Sequence, residues 1–252
     1  MIVFASTMMQ RQLYNIWTSI LQWSQVLSGI LQLENGVFAW GMSPAKYVKH
    51  LVQNVQDYFD KQYPGRKLAK HMSGPWKANY SPKLDTSEEL DPERASYYQS
   101  QVGVLMWIVE LGRVDIITEV STLALHMALP REGHLDVLFH VFSYLNKRHN
   151  SRLLFDPTYP DIDQSKFQQH DWKNFYGDIK EVIPSDMPKP WGKEVYLHLY
   201  VDSDHAGDKQ NQRSRTGFFV FLNSALIAFM SKKQLTVETS VFGAEFVAKR
   251  LE

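Results

Sequence analysis

The sequence predicts an α+β protein in which a mainly helical region precedes a small unit of three strands and one helix. Apolar residues recur at helical spacing through most of 93–146. Short apolar runs at 194–201, 217–222 and 225–230 are bounded by turn residues, which is typical of neighbouring strands. Helical spacing returns in 237–251. The two halves of the chain are therefore expected to fold by different patterns.

Composition limits the classes of protein to which the chain could belong. With 252 residues, 44% of them hydrophobic, it can bury one sizeable core or two small ones. Its 27 basic and 27 acidic side chains give no net charge, so binding to nucleic acid must depend on local patches. The absence of cysteine excludes disulfides and thiolate sites. We expect a cytoplasmic or nuclear protein that is neither secreted nor bound to a membrane.

The N-terminal segment 12–33 contains no charged residue. Amide and hydroxyl side chains are spread along it, so it is too polar for a membrane span. Its apolar residues instead recur at helical spacing and predict a helix packed against protein. These residues are Leu13, Ile16, Ile20, Trp23 and Leu27.

A hairpin and a helix are predicted next. Asn35-Gly36 lies between two short apolar runs within 30–40, and Asn-Gly in this setting strongly favours a β-hairpin. Ser43-Pro44 is typical of a helix start, with serine as the N-cap and proline in the first turn. Apolar residues at helical spacing continue to Phe59, which completes the pattern of an amphipathic helix.

A long connection separates this helix from three others. Prolines, glycines and scattered charges between 61 and 90 predict an extended segment. Helices are then predicted at 93–111, 114–128 and 131–146, and their apolar stripes should pack into one layer. A short strand is expected at 153–155.

We expect the chain to divide into three parts. Residues 1–155 form the helical region with its hairpin, and 194–252 form the strand-rich unit. The segment 156–193 is rich in Pro, Asp and Lys with little periodicity, which predicts a linker. Three aromatic residues indicate one ordered patch within it: Trp172, Phe175 and Tyr176.

Acidic residues distinguish the strand-rich unit. Asp202, Asp204 and Asp208 lie where its first strand gives way to a loop, and Glu245 lies on the final helix, from which it can point at Asp202. Their hard oxygen donors suit Mg²⁺. Aspartates at strand ends are also common turn and cap residues, which is the simpler interpretation of the three aspartates alone. His205 is the histidine beside this cluster; the others form no ligand constellation.

Four blocks follow one another in this unit: 200–208, 213–218, 231–234 and 238–248. They begin with Tyr-Val-Asp-Ser-Asp-His-Ala-Gly-Asp and end with Glu-Thr-Ser followed by Ala-Glu-Phe-Val-Ala. In this order and spacing they resemble the opening of the ribonuclease H domain of copia-type retrotransposons.

The resemblance implies a ribonuclease H fold, dependence on Mg²⁺ and an RNA·DNA hybrid or another nucleic acid as partner. Asp202 resembles the family's first metal-binding aspartate, and Glu245 resembles its helix glutamate. These two residues are the predicted catalytic and metal-binding positions. Arg213, Arg215 and Lys232 are then expected to contact nucleic-acid phosphates, a prediction that rests on charge and position.

The upstream sequence extends the resemblance to most of the chain. Blocks at 97–105, 112–116 and 144–145 resemble the segment after the polymerase palm, and 30–47 resembles the end of the palm. The predicted arrangement is therefore a helical thumb and connection region with a β-hairpin, followed by a truncated ribonuclease H-like β-β-β-α unit. The family's ancestral activities are RNA-directed DNA synthesis and hydrolysis of RNA in RNA·DNA hybrids.

Two departures from the family pattern bear on activity. The sequence has no pair of adjacent aspartates after an aromatic residue, the pair that holds the polymerase metals in the family, so DNA synthesis is not expected. Two later carboxylates of the family's ribonuclease H site are also absent, so hydrolysis is expected to be lost or nearly so. The alternative is a non-catalytic nucleic-acid-binding or protein-interaction module, with self-association through an exposed sheet edge.

Overall fold

The computed structural model contains helices and two three-stranded antiparallel sheets, which confirms the predicted α+β class. The residues that the structure describes are 27–70, 72–163, 165, 173–178, 184–187, 192 and 194–250. The helix predicted from Leu13 lies outside the described residues, apart from Leu27, which begins a strand. Trp172 of the predicted aromatic patch also lies outside them.

The first sheet is built on the predicted hairpin. Strand β1 (Leu27–Gln32) pairs antiparallel with β2 (Phe38–Ser43), and β3 (Leu153–Phe155) adds to the other side of β2. Gly36 adopts a φ of +78° in the turn, a conformation that glycine reaches without steric cost. The Asn-Gly signal therefore identified the hairpin, and the strand predicted at 153–155 closes its sheet.

The predicted serine cap of the next helix is wrong. Helix α1 (Ala45–Gln62) has Pro44 at its N-cap position, with no side-chain cap. Ser43 is still part of β2, and its hydroxyl donates to the carbonyl of Ser151 at 2.8 Å. This hydrogen bond joins the end of β2 to the chain just before β3, so a long-range partner replaced the local cap.

Three further helices complete the helical region, which we define as 45–147. They are α2 (Pro92–Glu110), α3 (Ile117–Ala124) and α4 (Glu132–Lys147). Asp91 caps α2 by accepting from the backbone N of Arg94 at 2.9 Å. Two short 3₁₀ turns accompany these helices, at Pro82–Leu84 and at Val114–Ile116.

The main core lies between these four helices. Each contributes a buried apolar stripe, and α4 packs against the other three. The extended segment between α1 and α2 contributes Leu68 and Leu90 to the same cluster. The fully buried large side chains include Tyr98, Leu105, Ile108, Leu135, Leu138, Phe142 and Leu145.

The second sheet and the last helix form the sheet region, which we define as 194–250. Strands β4 (Leu197–Ser203), β5 (Arg215–Leu222) and β6 (Ala225–Lys233) pair antiparallel in that order. The short helix α5 (Lys173–Tyr176) precedes the sheet, and α6 (Val241–Lys249) packs against β4. The order strand, strand, strand, helix is the one predicted.

Strand β6 of the sheet region contacts both the helical region and strand β3. Helix α3 and strand β3 both pack on β6, and Phe229 of β6 lies against the helical core. The hydroxyls of Thr118 and Ser231 are 3.3 Å apart across this contact. Within the part of the chain that the structure describes, no helix is long and apolar enough to span a bilayer.

Candidate functional site

Asp202 lies near the end of β4, a strand at the edge of the second sheet. Its side chain is exposed, and the residue opposite it on β5 is Gly217. Because glycine has no side chain, β5 places no side chain directly opposite the Asp202 carboxylate. This position leaves the carboxylate accessible to a ligand from solvent.

Glu245 lies on α6 and reaches the same end of β4. The outer side of an edge strand has no neighbouring strand for its backbone groups, and there the N–H of Ser203 donates to Oε1 of Glu245 at 3.3 Å. Ser203 directly follows Asp202. The structure therefore places Glu245 against the residue that follows Asp202, at the exposed edge of the sheet.

A buried glutamine fixes α6 against the sheet. The Nε2 group of Gln234 donates to the carbonyl of Ala244 at 2.9 Å and to Oγ1 of Thr216 at 3.0 Å. Gln234 and Thr216 are both buried, so these hydrogen bonds form away from water and are costly to lose. Ala244 immediately precedes Glu245. Sequence reasoning placed Gln234 in the block 231–234 that resembles the family, without identifying this positioning contact.

The loop after β4 is held by its own aspartates. Asp204 accepts a hydrogen bond from the backbone N of Arg215, and its backbone N donates to the carbonyl of Arg215 at 3.1 Å. Asp208 accepts from the backbone N of Gln210 at 3.1 Å. The turn-and-cap interpretation therefore describes Asp204 and Asp208, whereas Asp202 has a different environment. His205 is exposed in the same loop.

The three predicted phosphate-contacting cations occupy different environments. Lys232 is exposed, and Arg213 is half-buried with an Nε atom that has no hydrogen-bond partner. Arg215 instead donates to the hydroxyls of Ser121 at 2.6 Å and Thr122 at 3.0 Å, both on α3. Burial lowers the pKa of the Arg215 guanidinium from its ordinary value. In this structure Arg215 joins the two regions of the molecule.

The carboxylates at the edge of β4 have suitable chemistry for a hard divalent cation. Asp202 and Glu245 offer the oxygen donors that Mg²⁺ prefers. Among the described residues, however, no group of three or more histidine, cysteine or acidic side chains could together hold a metal ion. A two-carboxylate site leaves most of the coordination of Mg²⁺ to water or to phosphate oxygens.

Part of the chain is similar to Pol polyproteins of plant transposons. It is 28% identical over 166 residues, 66% of the chain, to the retrovirus-related Pol polyprotein from transposon RE1 of Arabidopsis thaliana. It is 24% identical over 151 residues, 60% of the chain, to that from transposon TNT 1-94 of Nicotiana tabacum. These alignments span 9% of each polyprotein. Several relatives are thus copia-type Pol polyproteins, which confirms the resemblance.

The alignments with two relatives outside this group cover most of each relative's own length. The uncharacterized mitochondrial protein AtMg00810 of Arabidopsis thaliana is 24% identical over 83% of the chain and 68% of that protein. The secreted RxLR effector protein 161 of Plasmopara viticola is 26% identical over 60% of the chain and 82% of that protein. No family model and no solved structure matches the chain.

Proposed function

We propose that the chain is a fragment of a copia-type retroelement polyprotein that combines the end of a reverse transcriptase palm, its thumb and connection region, and the first part of a ribonuclease H domain. The similarity to transposon Pol polyproteins supports this origin. The order of β4, β5, β6 and α6 supports the ribonuclease H-like part. The predicted parts are 1–155, 156–193 and 194–252.

The observation that carries the proposal is the hydrogen bond from the backbone of Ser203 to Glu245. It places Glu245 against the neighbour of Asp202, although Ser203 and Glu245 are 42 positions apart in sequence. The motif comparison had selected Asp202 and Glu245 independently of any structure. Asp202 and Glu245 would hold Mg²⁺ in this proposal. When bound, the metal would neutralise charge on a phosphodiester and help to generate an attacking hydroxide.

On its own, the 252-residue polypeptide is proposed to lack both ancestral activities. Asp202 and Glu245 supply two carboxylates, whereas a pair of catalytic metals needs more ligands to position water and to stabilise the leaving oxygen. The absence of adjacent aspartates after an aromatic residue argues against DNA synthesis. Residual affinity for Mg²⁺ and for nucleic acid is the remaining property of the site.

Cleavage of a labelled RNA·DNA hybrid in Mg²⁺ tests this proposal. The purified chain is compared with Asp202→Asn, and both are expected to leave the RNA strand intact over times in which a complete ribonuclease H cuts it. Isothermal titration with Mg²⁺ is expected to give weak binding that Asp202→Asn and Glu245→Gln each reduce further, because each removes one carboxylate charge. Cutting that depends on Asp202 would overturn the claim of inactivity.

The alternative is a non-catalytic nucleic-acid-binding or protein-interaction module derived from the same element. Two relatives consist largely of the aligned segment, which favours a use for it outside a polyprotein. The exposed edge of β4 and the exposed rings of Phe242 and Phe246 offer a surface for a protein partner or for a second copy of the chain. Such a module would operate in the cytoplasm or nucleus.

Salt-dependent binding separates the two functions. For a nucleic-acid-binding module, hybrid binding measured by fluorescence anisotropy should weaken as the salt concentration rises. Lys232→Met and Arg213→Met should each reduce the slope of log affinity against log salt concentration by about one. Asp202→Asn should leave this binding unchanged. Binding that disappears with Asp202→Asn and requires Mg²⁺ would favour the enzyme-derived site instead.

A further inference from the structure

A cavity of about 600 Å³ lies between the helical region and the sheet region. Its walls come from the connection at 76–83, from α3, and from the loop between β4 and β5. The Nε2 group of Gln210 donates to the carbonyl of Lys83 at 2.7 Å and ties this loop to the connection. Neither Ser203 nor Glu245, which bond to each other at the edge of β4, lines this cavity.

The lining of this cavity carries excess positive charge. It contains five cationic side chains and three carboxylates. Arg215 and Lys233 are directly opposite one another on β5 and β6, an arrangement of like charges that destabilises an antiparallel pair unless an anion lies nearby. The sheet therefore presents two cations to one wall of the cavity, and nearby carboxylates are needed to offset their repulsion.

A single carboxylate oxygen forms ion pairs with two of these cations. Oδ2 of Asp208 forms ion pairs with the ammonium groups of both Lys83 and Lys233. The Asp208 side chain is 6% exposed, and the lysine side chains are 19% and 17% exposed, so water screens this cluster only weakly. One negative charge thus offsets two positive charges.

Two further observations indicate that Asp208 alone does not balance the positive charge of the cluster. Nε of Arg213, which also lines the cavity, is buried and has no hydrogen-bond partner. Burial, followed by the nearby charges of Lys233 and Arg213, lowers the pKa of Lys83 to about 8. An additional anion would satisfy the arginine and remove the repulsion that Lys83 experiences.

We propose that this cavity binds a phosphate group through Lys83, Lys233 and Arg213. A phosphate carries between one and two negative charges and has several acceptor oxygens, so it can bond to three donors that approach from different elements. The cavity volume falls within the range that holds a nucleotide-sized ligand. The phosphate can belong to a nucleic-acid backbone or to a free nucleotide. The proposal extends the nucleic-acid binding inferred above, in which Arg213 is already a phosphate contact, to Lys83 and Lys233.

Direct titration of the full chain tests the proposal with three probes: inorganic pyrophosphate, a mononucleoside monophosphate and a short single-stranded oligonucleotide. Lys233→Met is expected to weaken pyrophosphate binding about tenfold, because it removes one charge-assisted contact. Lys232→Met is the matched control, since this neighbouring lysine is exposed and does not line the cavity. It should change pyrophosphate affinity by less than about twofold.

Asp208→Asn tests the charge argument in the opposite direction. Removal of the carboxylate that competes for Lys83 and Lys233 should strengthen pyrophosphate binding about threefold or more. A purely structural role of this cluster would instead leave anion affinity unchanged or lower it. The thermal midpoint of each variant shows whether it is folded, and Lys83→Met provides an independent test from the helical side of the cavity.

The pattern of binding identifies the source of the phosphate. Oligonucleotide binding that needs Lys83 and that pyrophosphate displaces supports a backbone phosphate, whereas binding of the small probes alone supports a free nucleotide. Pyrophosphate binding that survives while hybrid binding is absent would refute the nucleic-acid function and leave this site intact. If no probe depends on Lys83 or Lys233, the proposal of a phosphate site is wrong.

Discussion

The helical region and the sheet region bury their apolar side chains to different extents. The four helices of 45–147 place large apolar residues in one continuous cluster. In the described part of 194–250, the buried hydrophobic residues are Val220, Ala244 and Ala248, of which two are alanines. Large apolar residues are exposed on the same region, including Leu197, Leu199, Tyr200, Phe219, Phe242 and Phe246.

This difference shows that different interactions hold the two regions together. Burial of apolar area stabilises the helical region, at about 25 cal/mol for each Å² removed from water. The sheet region depends more on polar contacts, because the buried Gln234 and Thr216 join α6 to the sheet and Arg215 joins β5 to α3. The sheet region is therefore expected to be the less stable of the two and to associate through its exposed apolar surface.

The largest expected effect comes from the helical core. Phe142→Ala removes a fully buried ring and should lower the free energy of unfolding by about 3–5 kcal/mol. Urea unfolding followed by circular dichroism measures the change. Phe242→Ala, at a position that is 79% exposed, should change it by less than about 0.5 kcal/mol. Equal losses in the two variants would contradict the contrast in burial.

An ion pair between the buried Arg113 and the partly buried Asp115 gives the helical region its own acid sensitivity. Burial alone would raise the pKa of Asp115, but hydrogen bonds from Arg113 and Tyr144 hold it below its ordinary value. A carboxyl group with a lowered pKa in the folded state stabilises the protein fully above its ordinary value of 3.8, and this contribution is lost as pH falls through the folded-state pKa.

Asp115→Asn tests this contribution. It leaves the Arg113 side chain, which is fully buried, without its counter-charge and should cost about 2–3 kcal/mol near neutral pH. The free energy of unfolding should also fall less steeply below about pH 4 in the variant than in the parent protein. Parallel pH profiles would show that Asp115 does not contribute in this way.

Arg215→Met should weaken the connection between the regions. It removes hydrogen bonds to Ser121 and Thr122 and should cost about 1–2 kcal/mol. In hydrogen exchange measured by mass spectrometry, the variant should exchange faster than the parent protein in β5 and β6. Exchange in α2 and α4 should change less. Lys232→Met, an exposed cation on the same sheet, should have no comparable effect. Uniform acceleration across both regions would indicate a single cooperative unit.

The smallest effect on stability is expected at the exposed face of α6. The rings of Phe242 and Phe246 stack at 6.5 Å between centroids and are both exposed. Replacing both by serine should change the free energy of unfolding by less than about 1 kcal/mol and should reduce self-association in sedimentation velocity. Phe38→Ser, at an exposed aromatic residue of β2, is the control. An unchanged sedimentation profile would exclude this face from association.

Local sequence patterns predicted most of the elements. Asn35-Gly36 identified the first hairpin, and apolar spacing identified α1, α2 and α4. The predicted cap at Ser43 was wrong because its hydroxyl bonds to Ser151, which is 108 residues away. A local capping rule cannot include such a partner, and the error arose for that reason.

For the candidate site, sequence blocks selected Asp202 and Glu245. Glu245 contacts Ser203, the residue after Asp202, and the joint metal-binding role of Asp202 and Glu245 stays a prediction. The sequence blocks gave no indication of Lys83, which lies 125 residues before Asp208 and meets it only through the packing of the connection on the loop. The expectation that Arg215 contacts phosphate also could not include α3, since its partners lie more than 90 residues upstream.

The sequence by itself determined which segments become helices and strands, because hydrophobic periodicity and turn residues act over a few positions. It also determined the chemistry available in the sheet region, since carboxylates and cations are fixed by residue type. Only the tertiary structure decided which cations share Asp208 and which side chain accepts a hydrogen bond at the edge of β4. Those contacts join elements far apart in the chain, and the packing of whole surfaces sets them.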